Sequence, residues 1–300
     1  MPFEGEHDCT TEPAHAKRSG AKEPRQESAG EKSRYILVAV NFGVASRAAL
    51  RWASELSEVL GLELRFVHAV PTMNPESRGA LRDGMRESLR GWAAAQVGVS
   101  VSQDAIRVEE GSPLEVILRE SSRPDVEMVV VGGPLATEES GRSEMLHALL
   151  RQCPLPLFVV GPRGQRSVIV AATDGRDPAL PIVQQAASMA DLLGDKLVTV
   201  HNADTALGPS VPPLEGPQAQ SHRLTQQIHD WLVSRVGSGL VITQEPSTAS
   251  AVISTARALQ ADLIVVGVRP SAESLHHTAD ELLAEARRTV LFVPLSPKTQ

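Results

Sequence analysis

The sequence predicts an α/β protein of two tandem domains, each a doubly wound, five-stranded parallel sheet. Two observations favour this class. After residues 1–33, short apolar, β-prone segments alternate with amphipathic helical segments. This alternation is typical of a parallel sheet covered by helices on both faces. Features of the first half also recur in the second half in the same order and at a nearly constant offset, so that His68 matches His201 and Gly132 matches Gly267.

Each element of the first half has its own local signal. Residues 35–40 are a short apolar run, which predicts a buried strand, and a turn follows at residues 41–43. In residues 46–60 the apolar side chains recur at three- and four-residue steps. This pattern predicts a helix that is capped by Ser46 and ended by Gly61.

A capping box marks a second helix start. Ser112 is followed by Pro113 at the first helical position and by Glu115 three residues after the cap, so a helix is predicted over residues 113–121. The other predicted elements of the first half are strands at 62–70, 105–108, 126–131 and 157–160 and helices at 78–97 and 144–152.

Composition predicts where the domains begin and end. Residues 1–33 are rich in Glu, Lys, Ser, Pro and Ala and have almost no large apolar side chains, so we expect a disordered tail. One domain is predicted over residues 34–162 and the other over 166–295. The turn-forming residues 161–165 make a short linker, so the two domains should pack together.

Charge and composition exclude several classes of partner. The 300 residues carry a formal net charge of -7, which gives no positive field for a nucleic acid backbone. No apolar run reaches the length of a membrane-spanning helix, and the N-terminus has no signal-peptide pattern. Two cysteines cannot build a disulfide framework or a four-cysteine zinc site. The sequence therefore predicts a cytoplasmic protein that binds neither nucleic acid nor membrane.

The predicted topology also indicates where a ligand would bind. In open parallel sheets, ligands lie beyond the carboxyl ends of the strands at the point where the strand order reverses. In each half this directs attention to the turns after the first, second and fourth strands.

Five segments of the first half resemble the universal stress protein family, and the resemblance extends over both halves. They are Ile36–Val40, Ala49–Ala53, Val67–His68, Val129–Gly132 and Cys153–Pro156. The resemblance implies the adenine-nucleotide-hydrolase-like fold with five parallel strands. It also implies ATP as a ligand, bound by an acidic residue after the first strand and by a G-x2-G-x9-G-S/T loop after the fourth. Glycines in such a loop let the backbone approach phosphates, and helix N-terminal amides donate to them.

The first half departs from that loop pattern. Leu135 stands at the second glycine position, and Met145 and Leu146 stand where the last glycine and the hydroxyl residue belong. A nearby segment with a glycine, an arginine and a serine could form a shifted anion site. The candidate nucleotide-binding residues of this half, in which an asparagine replaces the acid, are Asn41, Gly132, Gly133, Gly141, Arg142 and Ser143.

The second half keeps the acid as Asp174 and the first glycine as Gly267, both candidate nucleotide-binding residues. Pro270 stands at the second glycine position, and Asp280 and Glu281 stand at the last. The run from Thr278 to Glu281 has the pattern of a capping box, which would occupy the amides that a phosphate needs, and its carboxylates would repel phosphate. Arg269, His276 and His277 could offset this charge.

No catalytic constellation accompanies these residues. There is no nucleophile with a base, no G-x-S-x-G segment and no H-E-x-x-H pair, and His68 and His201 are interpreted as packed, hydrogen-bonded side chains. Three functions stay open. They are a stress-response regulatory protein with weakened or lost adenine nucleotide binding, an ATP sensor that uses one half only, and a nucleotide-independent scaffold that presents residues 208–217 to a partner protein.

The resemblance also implies association through the last strand of each domain. The candidate edges are Leu157–Val160 and Val290–Val293, since unpaired apolar strand edges favour pairing. We expect the two domains to form an internal pseudo-dimer, and a further homodimer stays open.

Overall fold

Strands and helices alternate along the chain in this computed structural model. It describes residues 33–72, 74–76, 78–98, 101–133, 140–161, 166–173, 180–202, 230, 239–243, 246–268 and 275–295. For residues 140–143, 166, 180, 240 and 275–277 it describes the main chain alone.

The elements fall into two sets with the same order. The first set, which we name the first repeat, contains β1 (Tyr35–Ala39), α1 (Val44–Leu60), β2 (Glu63–Val70), α2 (Arg78–Val97), β3 (Ile106–Glu110), α3 (Pro113–Ser121), β4 (Val126–Gly132), α4 (Ser140–Gln152) and β5 (Leu157–Val160). The second repeat contains β6 (Arg166–Thr173), α5 (Leu180–Leu193), β7 (Lys196–Asn202), β8 (Gly239–Thr243), α6 (Thr248–Ala258), β9 (Ala261–Val268), α7 (Leu275–Glu285) and β10 (Thr289–Pro294).

All these strands belong to one 10-stranded sheet in the order β3-β2-β1-β4-β5-β10-β9-β6-β7-β8. Within each repeat the neighbouring strands are parallel, and the second repeat has the strand order of the first in reverse. The two repeats meet at β5 and β10, which pair antiparallel with Leu291 opposite Phe158. The predicted fold class is confirmed, and the two strands predicted as association edges pair with each other.

The sheet is buried on both faces, which is why its strands are almost continuously apolar. Because successive side chains of a strand point to opposite faces, Ile36 and Val38 belong to the core on one face, with residues of α1, α2 and α5, whereas Leu37 belongs to the core on the other face, with residues of α3, α4, α6 and α7. Each of the two cores contains buried residues of both repeats, among them Leu291 on one face and Phe292 on the other. The hydrophobic core therefore continues across the junction between the repeats.

The ends of α1 correct one prediction. The helix begins after Gly43, which provides no side-chain cap. Ser46, predicted as the cap, lies inside the first turn, and its hydroxyl turns back to Asn41. The predicted end is confirmed, since Gly61 adopts a φ of 67°, a left-handed conformation that costs glycine little.

The capping box of α3 is confirmed. The Ser112 hydroxyl accepts a hydrogen bond from the Glu115 N–H at 3.3 Å, and the Glu115 carboxylate accepts one from the Ser112 N–H at 3.0 Å. These hydrogen bonds hold the pKa of Glu115 below its ordinary value.

Two other helices begin earlier than the sequence predicts. Helix α4 starts at Ser140 and not at Glu144, so the segment from Gly141 to Ser143 forms its first turn. Helix α7 starts at Leu275, which places Thr278 inside the helix, and the predicted capping box at Thr278 is wrong. The Glu281 carboxylate instead accepts a hydrogen bond from the hydroxyl of Ser247 at 2.7 Å.

A buried arginine ties β2 to the turn before β4. The Arg65 guanidinium donates two hydrogen bonds to the Asp125 carboxylate, at 3.1 and 2.8 Å, and lies 3.7 Å from the centre of the Tyr35 ring. The Arg65 side chain is only 4% exposed. Removing its carboxylate partner therefore leaves a buried positive charge without compensation.

We expect the substitution Asp125→Asn to lower the free energy of unfolding by about 2 kcal/mol at neutral pH. The hydrogen bonds from Arg65 hold the pKa of Asp125 below its ordinary value. The stabilisation is therefore present above the unfolded-state pKa of about 3.9 and is lost as the pH falls through the folded-state value. Thermal melts at several pH values check this: the wild-type and variant melting temperatures should converge in acid. A gap that stays constant down to about pH 2 would contradict the assignment.

Within the described part of the chain, no helix combines the length and the apolar character that crossing a bilayer requires.

Candidate functional site

A cavity of about 890 Å³ opens at the carboxyl ends of β1, β2 and β4 in the first repeat. The strand order reverses between β1 and β4. From β1 the chain proceeds to β2 and β3 on one side, whereas β4 and β5 lie on the other side of β1. The cavity therefore occupies the topological switch point where open α/β sheets bind ligands. Its floor is formed by the strand ends, with Val40, His68 and Gly132 among the lining residues.

Two helices form the walls of the cavity. Helix α3 contributes its capped start and the first apolar turn, from Ser112 to Ile117. Helix α4 contributes residues at three- and four-residue spacing, which places them on one face. These residues of α4 are Glu144, Met145, His147, Ala148 and Arg151.

Asn41 lies at the end of β1 and is exposed at the cavity. Its Oδ1 accepts a hydrogen bond from the Ser46 hydroxyl at 2.6 Å and another from the Gly43 N–H at 3.0 Å, while its own N–H donates to the Ser46 Oγ at 2.9 Å. An amide oxygen has two lone pairs, and both are used within this turn. The side chain can therefore offer its Nδ2 as a donor to a ligand, whereas an aspartate would offer an acceptor.

The turn that carries Asn41 is held in place by aromatic packing. Phe42 has a φ of 60°, which is unusual for a residue with a bulky side chain. Its ring packs edge-to-face against His68, at 5.0 Å between centroids, and against Trp92 at 5.6 Å. The His68 Nδ1 lies 2.7 Å from the Val40 carbonyl oxygen. His68 is therefore a packed, hydrogen-bonded side chain at the end of β1, as the sequence interpretation expected.

Gly132 and Gly133 are required by close packing in the sheet. A Cβ on Gly132 would lie 2.6 Å from the carbonyl carbon and Cβ of Ala45. A Cβ on Gly133 would lie 3.0 Å from the Val160 carbonyl oxygen, which also accepts a hydrogen bond from the Gly133 N–H at 2.8 Å. Close packing thus explains the glycines at both positions without a ligand.

The two helices of the cavity wall begin differently. At α3, Pro113 has no N–H, and the N–H groups of Ser112 and Glu115 are used by the capping box. At α4, the first turn runs from Ser140 to Ser143, and the N–H groups of a first turn have no partner within their own helix. The amides of Ser112 and Glu115 are therefore not available to an anion at α3.

One residue of the second repeat lies at this cavity. Asp280 of α7 is among its lining residues, and its Oδ1 lies 2.8 Å from the Nε2 of His147 on α4. The other lining residues that the structure describes belong to the first repeat. The carboxylate that the sequence placed at the second half's own loop thus borders the site of the first.

Several predicted residues lie elsewhere or outside the described part of the chain. Gly267 lies in β9, where a Cβ would collide with the side chain of Ile182. His201 is buried, and its Nδ1 lies 3.1 Å from the Thr173 carbonyl oxygen, which repeats the contact of His68. Asp174, Leu135, Arg269, Pro270 and residues 208–217 lie outside the described residues, as do the side chains of Gly141 to Ser143, His276 and His277.

The sequence interpretation missed the polar side chains of α4. Glu144, His147 and Arg151 gave no motif, but their spacing on a predicted helix after the fourth strand could have indicated one polar face. No group of His, Cys, Asp and Glu able to hold a metal ion occurs among the described residues.

The strand order, the parallel pairing and the cavity at the switch point define a doubly wound α/β protein of the Rossmann-like class. The sequence model of the universal stress protein family matches residues 32–161 and again residues 166–294. The chain belongs to this stress-response family, as a tandem member with two copies of the family's domain. No curated protein matches the sequence.

Two solved structures that each match 88% of this chain support the same fold. A universal stress protein from Archaeoglobus fulgidus matches 88% of this chain and 99% of its own chain, at 14% identity and a TM-score of 0.60. A Pseudomonas aeruginosa protein described as a universal stress protein matches 88% of this chain and 94% of its own, at 19% identity and a TM-score of 0.62. A universal stress protein in complex with cAMP matches 44% of this chain and 98% of its own, at 20% identity and a TM-score of 0.32.

Proposed function

We propose that this protein is a stress-response regulator whose first repeat binds an adenine nucleotide weakly. The observation that carries the proposal is the cavity of about 890 Å³ at the switch point of the first repeat. Small-molecule sites are mostly apolar clefts of about 300–1,000 Å³ with a few polar groups. The apolar part of this cavity includes Val67, Ile117 and Val131, which suits a purine ring.

Three features favour weak binding. Asn41 has no charge, and its Oδ1 is already used within the turn. The glycine spacing of a phosphate loop is incomplete, so close approach of the backbone is limited to the start of α4. Glu144 and Asp280 place carboxylates on the cavity wall, where they oppose phosphate. In this proposal the adenosine is bound by Asn41 and the strand ends beside Gly132, and Gly141, Arg142 and Ser143 receive the phosphates.

The proposal also assigns each repeat to one domain, over residues 34–162 and 166–295, with residues 1–33 as a separate tail. The two domains then act as an internal pseudo-dimer that presents one nucleotide site in the first domain. Cross-strand pairing of β5 with β10 supports this arrangement.

Filling the cavity tests the assignment. Ala148 lies on the cavity-facing side of α4 and is half-buried, so the substitution Ala148→Phe should place a ring in the space of the ligand. By calorimetry we expect the wild type to bind Mg-ATP or AMP with a Kd between about 10 μM and 1 mM, which corresponds to roughly -7 to -4 kcal/mol. The variant should lose this binding by at least about tenfold, or 1.4 kcal/mol.

The matched control is Ala95→Phe, which adds the same ring to an exposed position of α2. It should bind as the wild type does. Failure of both nucleotides to bind the wild type at millimolar concentration would favour the nucleotide-independent scaffold. Equal binding by the wild type and Ala148→Phe would place the ligand elsewhere in the chain.

A further inference from the structure

We propose that Asp280, which the second repeat contributes, is a specificity-determining residue of the first repeat's cavity and selects against ligands with several phosphate charges. The inference rests on the proposed function and goes beyond it, because it attributes the choice among ligands in the first repeat's cavity to a side chain of the second repeat. Asp280 lines the cavity, and its side chain is 45% exposed. Its charge therefore acts partly on the space that a ligand would fill.

The position of Asp280 is fixed by helix packing and by a specific contact. Helices α4 and α7 pack against each other across the junction of the repeats. The Asp280 Oδ1 lies 2.8 Å from the Nε2 of His147, whose side chain is 25% exposed. On the inner side of α7, Ala279 and Leu282 are buried. The carboxylate is thus held at the cavity wall by the core beneath it and by a partner on the opposite helix.

His147 and Asp280 occupy equivalent positions in the two repeats. His147 lies between the buried residues Leu146 and Leu149, and Asp280 lies between the buried residues Ala279 and Leu282 at the same spacing. At such a position next to a two-fold axis, a homodimer would bring two identical side chains together. Two copies on one chain can differ there, which permits a contact between a base and an acid. The tandem arrangement therefore allows the second repeat to tune the first repeat's cavity.

The charges near Asp280 determine the direction of the effect. Glu144 supplies a second carboxylate on the same wall, and Arg151 supplies a positive charge further along α4. A carboxylate repels each negative charge of a ligand, and the repulsion grows with the number of those charges. Adenosine carries none, AMP carries about two, and ATP without magnesium carries more. Asp280 should thus favour adenosine and AMP over ATP.

The test compares adenosine, AMP and ATP by calorimetry, without magnesium and at low salt, in the full chain and its variants. The substitution Asp280→Asn removes the charge and retains the shape of the side chain. We expect it to tighten ATP binding by about three- to tenfold, to tighten AMP binding by less and to leave adenosine binding unchanged. Salt should reduce the gain, because it screens charges at partly exposed sites.

Two control variants separate charge from structure. Asp280→Glu retains the charge and should retain the wild-type order of affinities. Asp83→Asn removes the same charge from an exposed position of α2 outside the cavity, and it should leave all three affinities unchanged.

The possible results distinguish a failure of this inference from a failure of the proposed function. Binding of adenosine to the wild type, with the same ratio of ATP to adenosine affinity in Asp280→Asn, would overturn the inference alone. A gain of equal size for all three ligands would overturn it as well, since that result indicates a change of shape and not of charge. Failure of all three ligands to bind the wild type would overturn the proposed function and this inference together.

Discussion

The substitution Leu291→Lys is expected to lower the free energy of unfolding by about 4 kcal/mol or more, because it forces a charge into the core at the junction of the repeats. Leu291 is fully buried in β10 and lies opposite Phe158 of β5. For a chain of this size the loss corresponds to a fall in Tm of about 10 °C. Calorimetric melting measures the fall, and small-angle scattering should show an increase in the radius of gyration as the repeats separate.

A variant and a control make this result interpretable. Leu291→Ala introduces no charge and should cost about 2–5 kcal/mol through the cavity that it leaves, so it reports on the junction if the lysine variant does not fold. Leu192→Lys places the same charge on α5 at a side chain that is 49% exposed, and it should change stability by at most about 0.5 kcal/mol. Unchanged melting and unchanged compactness in both Leu291 variants would contradict a shared core.

The second large effect is expected for Gly132→Ala. A Cβ at this position would lie 2.6 Å from the backbone of Ala45, so the first turn of α1 would have to move away from β4. We expect a loss of about 3 kcal/mol in the free energy of unfolding, which is the cost of overpacking a core. Since Ser46 and Asn41 depend on the same turn, nucleotide binding should weaken as well.

The matched control for this prediction should change the free energy of unfolding in the opposite direction. Gly84 lies within α2, and a Cβ there would meet nothing within 4 Å, so Gly84→Ala should stabilise the protein by about 0.5–1 kcal/mol. Denaturant unfolding of both variants measures the difference. If Gly132→Ala unfolds like the wild type and loses only ligand binding, the glycine serves the ligand and the packing explanation is wrong.

Much of the fold could be predicted because its signals are local. The apolar runs gave the strands of the first repeat, the capping box of Ser112 and Glu115 gave the start of α3, and Gly61 gave the end of α1. The duplication predicted the second repeat, and the family resemblance implied the association of β5 with β10. Each of these features depends on neighbours along the chain or on a repeated pattern.

Helix starts were less predictable where several polar residues compete for the capping position. Ser46 has the right chemistry for a cap, but it bonds to Asn41 and the helix begins at Val44. Thr278 and Glu281 have capping-box spacing, but the helix begins at Leu275 and Glu281 contacts Ser247 of another element. A local motif does not reveal that a distant partner takes one of its members.

The topology predicted where a cavity should lie, but not all of the side chains that line it. The carboxyl ends of β1 and β4 follow from topology, and Asn41 and Gly132 lie there among the residues that line the cavity. The contact between His147 and Asp280 joins two repeats and depends on how α4 and α7 pack. Such a contact is set by tertiary structure, so a sequence that placed Asp280 at the second half's own loop could not reveal it.

The most direct measurement for the central claim is the crystal structure of the chain soaked with AMP. We expect difference density in the first repeat, with the purine between the ends of β1, β2 and β4 and the phosphate toward the first turn of α4. Ligand density at another place, or an empty cavity at millimolar AMP, would contradict it.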